Sequence, residues 1–424
     1  MLLSSDLKRR VLGGAFWSFT GVACAKLLIL VSGIITANIL GKEQYGELGI
    51  VRSTISMFIS IGMVGLGATA AKYIAQYKNT DKAYAGRIGA LTTFFAVAAG
   101  LLITSAVLLF SDVIATKTLN APYLVNDIRI GALLLFVTVM DSAQNGILSG
   151  FENFRAIAVN TFLASVAEGG LMILGACLYG VFGALLGFGL GYVVLYICNY
   201  ISIRSSSRAH QMVMHWKSIR WKDASLLYRF SLPVALSSLL IMPAYWIVRT
   251  LIVKFCGFGE LGIYEAADQW RVIILFIPGS LCGILLPILT NVLEEGSKKT
   301  YWKLIWFNLG MNAAITLLLS VIVLCFGGQL MALNGRDFAN STIVTVLAFS
   351  AVFSSMASVV GNSITSRDLV WAGFFFNLFW AILFVGLAYL FLCQGYGVVG
   401  SAWALLLAYV VHTGLQLIYL VVKK

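Results

Sequence analysis

Apolar residues gather into runs at 11–36, 45–67, 88–110, 128–149, 156–179, 181–203, 229–253, 261–288, 304–326, 341–364, 369–393 and 397–421, with polar or turn-forming residues between them. About 20 residues of helix cover the roughly 30 Å of hydrocarbon in a bilayer. The pattern therefore predicts an all-α polytopic membrane protein with twelve transmembrane helices. Only Gly150 to Arg155 separates the fourth run from the fifth, and only Tyr179-Gly180 the fifth from the sixth, so both pairs read as tight helical hairpins. Lys8-Arg9-Arg10 followed by an apolar stretch ending in Ala23-Cys24-Ala25 has the form of a signal peptide. The run resumes after Lys26 and reaches Ala37, too long for an h-region, and is read as helix 1.

The chain repeats itself at a shift of about 216 residues. Tyr179 through Val194 matches Tyr396 through Val411 with eight identities in sixteen positions, and the turn Gly41 to Gly46 opposes Gly257 to Gly262. Each half then holds six helices. Six is even, so both halves enter the membrane from the same side and the repeats are parallel. The predicted division is an N-terminal lobe 1–203, an amphipathic cytoplasmic linker 204–228 carrying Trp216 and Trp221 among its basic residues, and a C-terminal lobe 229–424. Gly183, Gly187 and Gly191 correspond to Gly400, Ala404 and Ala408, a small-residue stripe suited to close helix packing.

Composition agrees: 60% of residues are hydrophobic, 11% are charged and the mean hydropathy is +0.92, whereas a soluble domain carries about 25% charged residues. The net charge of +12 is set by topology. With the N-terminus cytoplasmic, twenty basic residues fall in inner segments, from Lys8 to Lys424, against Lys42, Lys117, Lys254 and Arg336 outside. Both termini are thus expected in the cytoplasm, and no nucleic-acid partner is implied because no basic arm or recognition helix collects the charge. The seven cysteines form no C-x-x-C pair and lie in or beside apolar runs, as small hydrophobes do.

Five cations remain inside the spans. Arg129 is at the outer end of helix 4 and can snorkel to the interface. Lys26, Arg52, Arg249 and Arg271 lie deeper, on the first hairpin of each half. A cation near the bilayer centre costs a few kcal/mol, about 3 on the insertion scale, unless it faces water or a partner. One reading is a shared cationic site for an anionic ligand, phosphate being the natural match for guanidinium forks. The other is neutralisation by Asp268, three residues before Arg271, and by Glu265 a turn further out. Glu168, Asp141 and Asp268 are the candidate ion-coupling acids, able to take a proton or to hold Na⁺, with Glu168 leading. Pro233, Pro243, Pro278 and Pro287 concentrate in helices 7 and 8 and mark these as kinked, candidate gating elements. No metal site or cofactor is expected beyond H⁺ or Na⁺.

An enzyme would need loops carrying acids, bases or metal ligands. The sequence has no D-x-D, no H-E-x-x-H and no phosphate-binding G-x-x-x-x-G-K-[ST], and His210, His215 and His412 form no constellation.

The twelve spans, the parallel repeat, the Y-G-x-x-G entry at Tyr179 and Tyr396, and the turn Leu40-Gly41-Lys42-Glu43-Gln44-Tyr45-Gly46 together resemble the polysaccharide repeat-unit (O-antigen) flippases of the multidrug/oligosaccharidyl-lipid/polysaccharide (MOP) exporter superfamily. The major facilitator fold is disfavoured because 70–87 lacks its G-x-x-x-D-[RK]-x-G-[RK] loop. The resemblance implies a bacterial inner-membrane flippase that moves an undecaprenyl-diphosphate-linked oligosaccharide to the outer leaflet, by alternating access between two lobes around a cationic cavity. It implies coupling to a proton or sodium gradient, an antiport being one form, and work beside a polysaccharide polymerase in lipopolysaccharide assembly. Lys26, Arg52, Arg249 and Arg271 lie on helices that line the cavity in such proteins. Exporters of drugs or of other lipid-linked precursors, and less readily a membrane glycan-modifying enzyme, are the alternatives.

Overall fold

The computed structural model describes residues 5–62, 65–216, 219, 240–367 and 369–422, with side chains from residue 20 onward. Pro233 and residues 217, 218 and 220–228 of the expected linker lie outside the described residues. Among those described the chain is helical: α1 (Ser5–Gly62), α2 (Leu66–Tyr77), α3 (Lys82–Val113), α4 (Val125–Gly150), α5 (Phe154–Ala209), α6 (Ile241–Cys256), α7 (Phe258–Ile274), α8 (Phe276–Glu294), α9 (Lys298–Ala332), α10 (Ser341–Ser366), α11 (Val370–Cys393) and α12 (Gly397–Val422). Eight helical stretches among them are long and apolar enough to cross a membrane, with Thr20–Ser60 and Phe154–Ala209 each taken as one.

Both of those stretches are broken by a glycine. At 1.5 Å per residue the 56 residues of α5 would run about 84 Å, nearly three bilayers. The chain turns at Tyr179 and at Gly180 (φ 61°, ψ −136°), a conformation that favours a residue without a β-carbon. The arms return antiparallel: Gly175 lies on Gly183, Gly187 on Leu171 and Gly191 on Glu168. The expected hairpin is therefore present, and its glycine stripe is what lets the two backbones touch. In α1 the break is Gly41 (φ 70°, ψ 171°). Its repeat equivalent, Gly257 (φ 88°, ψ 174°), parts α6 from α7 with nearly the same torsions.

The prolines divide by position. Pro278 has no N–H for the carbonyl of Ile274, and its ring crowds that carbonyl, so the expected eighth span is split at Leu275 into α7 and α8. Pro243 is instead the third residue of α6, in a first turn where N–H groups lack an intrahelical acceptor anyway, so it interrupts nothing among the described residues. Pro287 lies within α8.

Two compact units are formed, Met1–Ser32 with Thr54–Leu236, and Gly33–Ser53 with Ser237–Lys424. The units thus differ from a simple division at the linker, because the Gly33–Ser53 stretch of α1 packs with the second half of the sequence. Small residues explain this. Gly46 abuts the carbonyl of Phe258, Gly262 abuts that of Lys42, and Gly49 leaves room for the Glu265 side chain. Asn38 adds a hydrogen bond to the carbonyl of Leu333 at 2.5 Å. Tyr45 meets Phe338 edge-on with ring centres 6.0 Å apart.

In the first unit Asn145 of α4 and Asn160 and Asn199 of the two α5 arms form a buried amide ladder: Asn160 donates to Asn199 (2.9 Å) and to the Ser202 hydroxyl (3.0 Å), and Asn199 donates to Asn145 (3.3 Å). Of the expected linker, 204–209 complete α5, and 210–215 form no helix. This segment crosses the start of α3, with Met212 buried beside Ile74, Ile88 and Phe151. In the second unit an aromatic group of Tyr245, Trp380, Phe384 and Tyr409 fills the space between α6, α11 and α12.

Candidate functional site

The hairpin folded at Gly257 brings α6 against α7 inside the second unit and assembles a four-membered ion network there. Arg249 is paired through Nε with Glu265 and through a terminal nitrogen with Asp268 (2.9 Å), and Asp268 also takes Nε of Arg271 at 2.5 Å. Two cations meet two anions, so the network is neutral. Such pairing is the expected outcome when guanidinium groups are removed from water, because an unpaired charge costs several kcal/mol in a low-dielectric interior. Aromatic faces complete the enclosure. The guanidinium carbon of Arg249 lies 5.6 Å from the ring centre of Tyr245 and 5.8 Å from that of Tyr264, and Arg271 lies 5.3 Å from Tyr245.

Three of the four cations singled out in the sequence belong to this unit. Arg52, in the α1 tip, shares the neighbourhood of the Tyr45 hydroxyl with Glu265, and that hydroxyl also accepts a hydrogen bond from Gln269. Lys26 belongs to the first unit, is half-buried and makes no ion pair among the described residues. Of the two readings of these charges, pairing with Glu265 and Asp268 is what Arg249 and Arg271 show. Arg129, set aside as a snorkelling residue, pairs with Asp112 at 2.9 Å in an exposed position.

The candidate coupling acids fall into three situations. Asp268 is held by two arginines. Glu168 is buried on the first arm of α5 and packs on Gly191. Asp141, on α4, is only 3% exposed, and neither carboxylate oxygen has a hydrogen-bond partner among the described residues. No group of three or more His, Cys, Asp or Glu that could hold a metal occurs among the described residues.

Several members of this environment were not singled out beforehand: Tyr45, Gln269, Tyr245, Tyr264 and Tyr409. The Arg249–Glu265 pair had a readable signal. A turn at Gly257 places residue 257 − n beside 257 + n, and n = 8 gives this pair. Tyrosines spread through many spans carry no such signal.

The profile of the family described as "Polysaccharide biosynthesis protein" matches residues 11–293, about two thirds of the sequence. The chain belongs to that family. Relatives are similar at low identity. One is the EPS I polysaccharide export inner membrane protein EpsE of Ralstonia nicotianae, 23% identical over 298 residues, covering 66% of this chain and 64% of that one. Another is the succinoglycan biosynthesis transport protein ExoT of Rhizobium meliloti, 23% identical over 292 residues, covering 67% of this chain and 54% of that one. The match thus spans less than two thirds of either relative's length.

Among solved structures, the fold is similar to an inward-facing multidrug resistance MATE family transporter of the MOP superfamily (18% identity, 93% of each chain, TM-score 0.81). It is also similar to a Pyrococcus furiosus MOP superfamily transporter noted for the reversed polarity of its binding pocket (16% identity, 97% of this chain and 94% of that one, TM-score 0.75). The family member is thus an all-helical membrane protein of the MOP transporter fold, and the proteins it resembles are transporters rather than enzymes.

Proposed function

We propose that this family member is a flippase of the bacterial inner membrane. It moves an undecaprenyl-diphosphate-linked oligosaccharide from the cytoplasmic to the outer leaflet by alternating access, with both termini cytoplasmic and a polysaccharide polymerase as the consumer of its product. The observation that carries this reading is a pair of arginines enclosed in one hairpin, Arg249 half-buried and Arg271 buried, with Arg52 near the Tyr45 hydroxyl that Glu265 also approaches, in a polysaccharide-biosynthesis membrane protein. A diphosphate offers guanidinium groups the same bidentate oxygen geometry as Glu265 and Asp268, with more charge. The substrate is then bound by exchange: the diphosphate displaces the carboxylates, with Arg52 as a further cationic contact, and Lys26 is a separate candidate cation of the first unit. The prenyl tail stays in lipid. The relatives' names, which speak of polysaccharide export and succinoglycan transport, favour this substrate class over drugs. A drug exporter is the second reading, favoured by the MATE fold, but the arginines occupy the carboxylates that a lipophilic cation would need.

An intramembrane carboxyl couples the movement to a proton or sodium gradient. Asp141 replaces Glu168 as the leading residue, because a buried carboxyl with no partner is the one most free to take up an ion. Asp268 couples only when its arginines leave, and the break at Pro278 is the gating hinge beside it.

The test is a deletion strain complemented with Arg52→Ala, Arg249→Ala and Arg271→Ala proteins. Surface glycan should be lost while the lipid-linked unit accumulates in the inner leaflet. Normal glycan display with all three variants would overturn the reading.

A further inference from the structure

His412 is 5% exposed in α12, and neither ring nitrogen has a hydrogen-bond partner among the described residues. An imidazole always carries at least one N–H and one further nitrogen that can take a proton, and buried polar groups are normally paired. A ring left entirely unpaired inside a membrane protein is therefore costly, and such residues commonly mark ion or proton pathways. The surroundings are defined. Phe376 of α11 and Tyr409 of α12 present their rings edge-on, with centres 6.5 and 6.4 Å away. One turn further along α12, Gln416 is buried with its side-chain oxygen unpartnered, whereas Thr413 is anchored on the carbonyl of Phe353 in α10 (3.0 Å).

Towards the other end, Tyr409 shares a hydrogen bond with Tyr245 of α6 (3.1 Å between hydroxyl oxygens). Tyr245 lies under Arg271, whose partner is Asp268, both of α7. A string of exchangeable groups thus runs from the ion network down one face of α12. Around His412, α11 contributes the Phe376 ring and α10 the Phe353 carbonyl that holds Thr413. The charges of α6 and α7 reach Tyr245 rather than the imidazole.

The internal repeat shows that packing alone does not require this histidine. At the shift of 217, Asn145, Asn160 and Asn199 correspond to Asn362, Asn377 and Gln416. The first unit closes its amides into a ladder. In the second, Asn362 turns to the carbonyl of Cys282 (2.9 Å) and the Gln416 oxygen is left over. The position equivalent to His412 is Leu195. The second copy thus carries an ionisable ring where the first carries a simple hydrophobe, beside an amide oxygen it does not satisfy.

We propose that His412 is a proton-binding site of the second unit, joined to the Asp268–Arg271 end of the ion network through the hydroxyls of Tyr409 and Tyr245. The inference rests on the flippase reading above and commits the coupling ion, open there, to a proton. The proton comes from water on one side of the membrane, resides on an imidazole nitrogen and returns to water on the other.

The test uses the full chain in proteoliposomes with a labelled undecaprenyl-diphosphate oligosaccharide and an imposed pH gradient without sodium. Each coupled proton raises the accumulation ratio about tenfold per pH unit. His412→Leu, the residue of the first repeat, should lower the ratio about tenfold per pH unit while gradient-free exchange continues. His412→Gln keeps the volume and polarity of the site and should do the same. An unchanged response in either folded variant overturns the proposal. Histidine ring-carbon resonances, assigned by the loss of one signal in His412→Gln, supply a readout independent of transport. The His412 signal should shift with pH while the protein stays folded, and a ring that keeps one protonation state throughout overturns the proposal even if flipping is observed. A wild-type protein that moves no lipid-linked unit while His412 titrates would remove the flippase reading alone.

Discussion

Gly46 and Gly262 sit on each other's hairpins: a β-carbon on Gly46 would collide with the carbonyl oxygen of Phe258, and one on Gly262 with that of Lys42. The contact is reciprocal under the 216-residue repeat, since Lys42 and Phe258 are themselves equivalent. Two copies of one turn therefore meet about a local two-fold axis, at a distance only glycine permits. Alanine at either position should lower stability by about 1–3 kcal/mol through overpacking against backbone. The double variant should cost less than the sum, because either substitution already separates the turns. Thermal unfolding in detergent reads both effects, and additive losses would show that the glycines do not share one contact.

The turn at Gly180 carries a different demand. Its φ of 61° with ψ −136° is a conformation few residues other than glycine adopt, and Gly397, its repeat equivalent, also has positive φ (60°). Gly180→Ala should cost about 1–3 kcal/mol through the strain of that backbone conformation. Partial unfolding confined to α5, read by cysteine accessibility at Cys177 and Cys198, would accompany the loss.

The buried amide ladder predicts unequal effects from equivalent residues. Asn199→Leu removes two hydrogen bonds and leaves Asn145 and Asn160 short of partners, at a cost of about 1–2 kcal/mol. Gln416→Leu removes an amide whose oxygen is unpartnered and should be close to neutral. Equal destabilisation of the two in a thermal shift assay would contradict the hydrogen-bonding pattern.

Much of this was legible in the sequence because periodicity and repetition are linear signals. Among the described residues the apolar runs fall on helices, Tyr179-Gly180 is the turn it was expected to be, and Pro278 breaks its helix. Other features depend on where an element begins or on what folds back against it. Pro243 would kink a helix in its interior, yet among the described residues it stands in the first turn of α6. Gly33 and Gly49 occupy the repeat positions of Arg249 and Glu265, and they clear space for Gln269 and Glu265 respectively. This is how the tip of α1 comes to pack with the second unit, and no local pattern announces it. The intramembrane charges were visible, but their pairing required the hairpin geometry at Gly257. His412 was noted only as failing to form a catalytic group, because a single histidine in an apolar run says nothing about its hydrogen bonds.

The last prediction separates two buried aspartates that look alike in sequence. Asp268 is the shared anion of Arg249 and Arg271. Asp268→Ala would leave one guanidinium without its carboxylate and weaken the hold on the other, which costs about 3–5 kcal/mol for a broken buried pair. Removing Arg271 together with Asp268 should recover part of that loss, since it takes away the uncompensated charge. Asp141 has no hydrogen-bond partner to abandon among the described residues, and an ionised carboxylate there would lack compensation from them. Asp141→Asn closely matches a protonated carboxyl in shape, so the protein should melt within about 1 kcal/mol of wild type. On the proposed flippase function, binding of the lipid-linked oligosaccharide should persist while gradient-driven movement is lost, because the amide cannot take up and release an ion. A cooperative collapse of Asp141→Asn in the melting assay would show instead that this carboxylate is a structural acceptor, and the coupling role would pass back to Glu168.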